Sequence, residues 1–115
     1  MRVAGEGLVL VEGTNAAGWR IAGRLWSPPL LLSPAGVEAL APAVPEALLA
    51  RALALRPRPE LLLFGTGARL VWPAPALRQA AAAAGVPLEP MDSRAAARTW
   101  NLLVQEGRRI AALLT

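Results

Sequence analysis

An α/β fold is predicted for this chain on three observations. The second half alternates strand, helix, strand, helix, at residues 60–64, 75–84, 86–89 and a long run from 92 onward. After Glu60 the first of these strands is continuously apolar, as in strands buried on both faces of a parallel sheet. The first half instead shows short alternating segments divided by Gly and Asn, the pattern of antiparallel strands. Together they predict a parallel pair with helical cover, preceded by an antiparallel strand set. No internal repeat or long linker divides the 115 residues, so one domain over 1–115 is expected.

Taken in order, residues 8–11 form an apolar strand between Gly7 and Gly13. Residues 14–18 make a turn, with Asn15 and Gly18 supplying its backbone angles. Strands follow at 19–22 and 25–26, joined at Gly23-Arg24. Pro28 and Pro29 force an edge or a bulge there. Residues 34–42 read as loop with one helical turn. Pro45 opens a helix at the favoured first position, and Glu46 suits its first turn. Val44, Leu48, Leu49, Ala52 and Leu53 share one helical face. Arg56-Pro57-Arg58-Pro59 ends that helix. Gly65-Thr66-Gly67 ends the buried strand. Pro75 opens an Ala-rich helix closed by Gly85. Asp92 or Ser93 caps the long helix, which runs to Gln105 or Glu106 before Gly107. Residues 108–114 form a strand or a last helical turn. The expected core is Leu48, Leu61, Leu63, Trp100, Leu103 and Ile110.

Composition excludes several chemistries. Cys, His and Tyr are absent, which removes Cys/His zinc sites, disulfides and Cys or His nucleophiles. No acidic cluster suggests a metal site, and no cofactor motif is complete. The net charge is +4, and all twelve basic residues are arginine. These arginines are scattered and lack interleaved aromatic residues, so nucleic acid is not the indicated partner. No apolar run is long enough to span a membrane, since the run at 25–32 is cut by Ser27, Pro28 and Pro29. The first six residues lack the shape of a signal peptide, which leads to a cytoplasmic expectation. Abundant Pro with scarce Asn, Gln and Met leans toward a thermophilic source.

Two constellations could carry function. Gly65, Thr66 and Gly67 follow a buried strand, where α/β proteins bind ligands and where open backbone can meet an anion. A dinucleotide site would need a third glycine and an immediate helix, whereas the six residues Ala68 to Pro73 intervene and Pro75 opens the helix only afterward. The plain reading is a tight turn. On the long helix, Arg94, Arg98, Asn101 and Gln105 form a polar stripe opposite Ala96, Trp100 and Leu103, while Thr99, Leu102 and Glu106 lie on the boundary. Glu106 opposes the helix dipole in the last turn, so an ion pair with Arg108 or Arg109 is expected to offset it. On that basis Glu106→Gln is expected to lower stability.

Gly65-Thr66-Gly67, Gly85-Val86, Met91-Asp92-Ser93, Ala96, Arg98-Thr99-Trp100-Asn101, Leu103 and Glu106-Gly107-Arg108 occur in this order. The ordered set resembles the small domain family named for the adipogenesis-associated Mth domain protein. That family also contains the mitochondrial respiratory complex I assembly factor 3. The likeness covers about half the chain. Ser93 stands where that family often has Thr, and Trp100 where it often has Tyr. The resemblance implies a three-layer α/β fold with a mixed central sheet, and no known enzymatic activity. Its eukaryotic members are assembly or interaction proteins.

The functional expectation is a non-catalytic protein-interaction or assembly domain with no cofactor. The alternative is a small-ligand or anion site built from the 65–67 loop, Asp92, Ser93, Arg98, Thr99 and Asn101. An enzyme would have to use Asp92 or Glu106 with a raised pKa. A large exposed apolar patch would favour the interaction domain.

Overall fold

The computed structural model describes residues 8–115. The N-terminal stretch on which the leader expectation rests lies outside them, as does Gly7. Three strands come first: β1 (Val11–Asn15), β2 (Gly18–Ile21) and β3 (Arg24–Trp26). They form an antiparallel sheet in the order β1-β2-β3. The second sheet holds β4 (Leu30–Ser33), β5 (Gly36–Ala39), β6 (Leu61–Gly65), β7 (Leu88–Met91) and β8 (Ile110–Leu114), in the order β5-β4-β8-β6-β7. Strand β6 runs parallel to both β7 and β8, whereas β4 is antiparallel to β5 and β8. The sheet is therefore mixed. The helices are α1 (Pro45–Leu53), α2 (Pro75–Ala83) and α3 (Ser93–Gln105).

Alternation along the strands assigns the two faces of the five-stranded sheet. Leu30, Leu32, Leu63, Ile110, Ala112 and Leu114 pack against α3 and against Trp19 and Ile21 of β2. Leu31, Leu62, Phe64, Ala111 and Leu113 pack against α1 and α2. The result is three layers: α1 and α2, then the sheet, then α3 with the small antiparallel sheet. Every residue of β8 is buried, as a strand covered on both faces requires.

Local signals account for the helix boundaries. Pro45 and Pro75 open α1 and α2, and Glu46 sits in the first turn of α1. The Asp92 carboxylate accepts a bond from the Ala95 N–H at 2.9 Å and caps α3. Beyond α3, Gly107 takes a φ of 79°, which turns the chain toward β8.

Four sequence expectations are corrected. Pro28 and Pro29 do not mark a sheet edge. They lie between β3 and β4, where the chain leaves one sheet for the interior of the other. The Pro29 carbonyl accepts from the Leu40 N–H at 2.9 Å. The loop expected over 34–42 contains β5, a hairpin partner of β4 closed at Ser33 opposite Gly36. The strand placed at 86–89 lies two residues later, because Val86 is buried in the α1–α2 layer ahead of the ladder. Finally, Leu61 and Leu103 are only partly buried at the margin of the core, whereas Leu48, Leu63, Trp100 and Ile110 lie within it.

Candidate functional site

Strands β6, β7 and β8 run parallel, so Gly65, Met91 and Leu114 end at one edge of the sheet. That edge brings the 65–67 loop against Asp92 and Ser93 at the start of α3. The Ser93 N–H donates to the Gly67 carbonyl at 2.8 Å, and the Gly67 N–H donates to Ser93 Oγ at 2.8 Å. The Thr66 N–H donates to the Met91 carbonyl at 2.8 Å. Thr115 Oγ1 donates to the Gly65 carbonyl at 2.7 Å. Gly65 is required by contact: a Cβ there would stand 2.8 Å from Ser93 Oγ and 2.9 Å from the Leu113 carbonyl oxygen.

These bonds decide what the loop can do chemically. An anion cradle needs free N–H groups converging on one point. The Thr66 and Gly67 N–H groups are engaged by Met91 and Ser93, and the Asp92 carboxylate is turned onto its own helix. The loop satisfies itself, which a half-buried loop must do. The anion alternative therefore lacks its backbone donors.

The remaining residues of the predicted cluster lie elsewhere. Asn101 sits two turns along α3 and faces β1. Its Oδ1 accepts from the Val11 N–H at 2.8 Å, and its Nδ2 donates to the Val11 carbonyl at 2.7 Å. Beside it, Trp100 Nε1 donates to the Val9 carbonyl at 2.7 Å. Both side chains fasten the first strand segment onto α3. Arg98 is exposed and, with Arg94, borders a hollow of about 360 Å³ between β1 and α3. Thr99 is half-buried on α3.

The ion pair expected of Glu106 takes a different form. Arg108 Nε lies 3.8 Å from Glu60, and Arg109 Nε donates to the Arg58 carbonyl at 3.0 Å. Once Gly107 has turned the chain, both arginines face the segment entering β6. Glu106 is an exposed C-cap and joins no ion pair among the described residues. Water screens the unfavourable dipole contact there. Glu106→Gln is accordingly expected to change unfolding free energy by no more than about 0.5 kcal/mol in either direction. A chemical-denaturation loss above about 1 kcal/mol would restore a structural role.

One further feature of the same edge was not singled out in the sequence. The stretch 68–74 leaves Leu70, Val71 and Trp72 exposed at 48%, 60% and 66%. Thr66 Oγ1 ties it down by donating to the Arg69 carbonyl at 2.6 Å and accepting from the Val71 N–H at 3.0 Å. Val71 and Trp72 stand at the rim of a hollow of about 330 Å³, floored by Pro45, Leu48, Phe64 and Leu77. Val44, between two lining residues, is also exposed. The guanidinium of Arg78 lies 5.6 Å from the Trp72 ring centroid. The available sequence signal was an apolar tripeptide between Arg69 and Pro73 with neither helical nor strand period.

At the opposite edge, a hollow of about 560 Å³ is bordered by Arg56, Arg108 and Arg109. Arg56 donates to the Leu53 and Leu55 carbonyls, while Arg109 is bound to Arg58 and Arg108 faces Glu60. Its cations serve the chain itself. Among the described residues no cluster of acidic side chains could hold a metal. Nor is any of their helices long and apolar enough to cross a membrane.

Fold and site together define a small mixed-sheet α/β domain with an apolar rim at the C-terminal edge of its parallel strands. The chain belongs to the family described as "Protein of unknown function (DUF498/DUF598)", which matches residues 11–115. It is 36% identical over 108 residues to an uncharacterised protein of Rhodobacter capsulatus, covering 94% of this chain and 85% of that one. A crystal structure from Bordetella parapertussis superposes with a TM-score of 0.83 at 34% identity, covering 93% of this chain and 94% of the other. A Bordetella pertussis protein described as a Mth938-like domain gives 0.80 at 27% identity, with coverages of 99% and 89%. A Bartonella henselae structure called an outer membrane protein gives 0.76 at 26% identity, with 94% of each chain covered.

Proposed function

We propose that this protein is a non-catalytic interaction domain, and that it docks protein partners through the apolar rim around Trp72. One observation carries the reading: Val71 and Trp72 are exposed while lining a hollow floored by apolar side chains, and Leu70 and Val44, next in sequence to lining residues, are exposed as well. Contiguous apolar surface of this kind marks docking sites more often than bare surface. Trp at such a rim supplies large contact area at low entropic cost. Two further points support the reading. The loop beside the rim is engaged in its own hydrogen bonds, and the sequence resembles a family whose eukaryotic members are assembly or interaction proteins. A single domain acting in the cytoplasm without a cofactor completes the proposal.

The test is a photo-crosslinking amino acid placed at position 70 in cells, with and without Trp72→Ala. Discrete crosslinked protein adducts are expected, and Trp72→Ala is expected to reduce them by about tenfold or more. Unfolding is expected to be nearly unchanged, because Trp72 is mostly solvent-facing. Adducts that survive Trp72→Ala undiminished would remove the rim from the function.

A further inference from the structure

We propose that the hollow of about 560 Å³ at the edge opposite the Trp72 rim binds a small amphipathic carboxylate, with its apolar body inside and its head group at the bordering arginines. This goes beyond the docking reading and does not depend on it. The hollow forms where the Leu8-Val9 segment, the β4–β5 turn, the stretch after α1 and the turn from α3 into β8 meet. Leu8, Val9, Leu55, Pro59, Val104 and Ile110 supply apolar wall. Its volume falls in the range of small-molecule sites, about 300–1,000 Å³. Such a wall gains free energy by covering an apolar body and gains none from a bare ion.

Charge decides the head group. Arg56, Arg108 and Arg109 line the hollow, and no carboxylate does among the described residues. Arg56 donates to the Leu53 and Leu55 carbonyls, and Arg109 to the Arg58 carbonyl. These bonds use part of each five-donor fork and end on neutral oxygens. They hold the guanidinium groups in place and leave their charges uncompensated. Among the described residues only Arg108 approaches an acid, and Glu60 at 3.8 Å is too far for a direct hydrogen bond. The C-terminal ends of α1 and α3 also meet here, and free carbonyls there would repel an anion. Those carbonyls are engaged: Leu53 and Leu55 bond Arg56, while Leu103 and Val104 accept from the N–H groups of residues 106–108. All three arginines are exposed, so a carboxylate can pair with them at the water boundary without being fully desolvated. Guanidinium groups already fixed by the chain lose less freedom on binding.

The test is isothermal titration of the full chain with octanoate, octan-1-ol and acetate. Octanoate carries both features, octan-1-ol only the tail and acetate only the charge. Octanoate should bind with a dissociation constant below about 1 mM, octan-1-ol about tenfold more weakly or worse, and acetate without saturation. Arg109→Gln should weaken octanoate by about fivefold or more. Ala35→Trp places a bulky side chain in the hollow from an exposed lining position, and should abolish binding while leaving thermal unfolding in place. Arg20→Gln removes the same charge from an exposed position on β2 outside the lining, and should leave binding unchanged. Trp72→Ala, at the other edge, should leave it unchanged as well. Absence of saturable octanoate binding overturns the proposal, as does equal binding of octan-1-ol or indifference to Arg109→Gln. Binding that is lost with Trp72→Ala overturns it too, since the ligand would then sit at the other hollow. If Ala35→Trp does not fold, the Arg109→Gln and octan-1-ol comparisons decide.

Discussion

Trp100→Ala is expected to lower the unfolding free energy by about 3–5 kcal/mol. Trp100 is fully buried between α3 and the five-stranded sheet, where it packs among Leu63, Ile110 and Ala112. Removing the indole leaves a large cavity in a layer whose other side is fixed by β8. It also leaves the Val9 carbonyl, bonded at 2.7 Å, without its donor. Trp100→Phe separates these two effects. It keeps most of the ring volume and deletes the donor, so a smaller loss of about 1–3 kcal/mol is expected. Guanidinium unfolding followed by far-ultraviolet circular dichroism is the appropriate measurement, since three other tryptophans complicate fluorescence. A loss below about 1 kcal/mol for Trp100→Ala would mean that α3 is not packed as described.

Gly65→Val is expected to cost about 3 kcal/mol or more, and Gly65→Ala about 1–3 kcal/mol. The reason is space rather than backbone angle. A Cβ at position 65 would lie 2.9 Å from the Leu113 carbonyl oxygen and 3.0 Å from Ser93 Cα, both backbone atoms held by the sheet and by α3. Relief requires β6 and β8 to separate or the start of α3 to lift. Ser93→Ala removes only the third close atom, the hydroxyl 2.8 Å away, and is expected not to rescue either variant. Thermal unfolding of the single and double variants checks this. Full rescue by Ser93→Ala would show that the backbone contacts are not limiting.

Local physics accounts for the elements that sequence reasoning placed well. α2 and α3 begin at a proline and at a capping Asp, and β6 declares itself by a continuous apolar run. Each signal lies within a few residues of the element it defines. The same reasoning assigned no strand at β4 and read β5 as loop, because what defines them is distant. Leu30 pairs with Leu114 and Leu32 with Ala112, across nearly the whole described chain. The three leucines after the prolines at 28 and 29 are as apolar as β6, but nothing near them announces that the segment will pair on both sides in the interior of a sheet.

The candidate site divides the same way. The glycines at 65 and 67 and the cap at Asp92 were legible as chemistry-bearing types, and parallel strands put them at one edge. Whether their donors were free could not be read from residue type. Ser93 and Gly67 exchange a reciprocal pair of bonds, and Asn101 spends both ends of its amide on Val11. Glu106 shows the same limit, since its neighbours in sequence found partners in Glu60 and Arg58, about fifty positions away.

By itself, then, the sequence determined an α/β protein without thiol or imidazole chemistry, built on a buried parallel strand pair with capped helices. Those properties follow from composition, from period and from caps, all of which act locally. Tertiary structure alone decided that β4 is interior, that the 65–67 loop, Ser93 and Asn101 are engaged in hydrogen bonds within the chain, and that the apolar stretch 70–72 stays in solvent. Burial and hydrogen-bond satisfaction are properties of what a group meets after folding, and here those neighbours come from segments far apart in the chain.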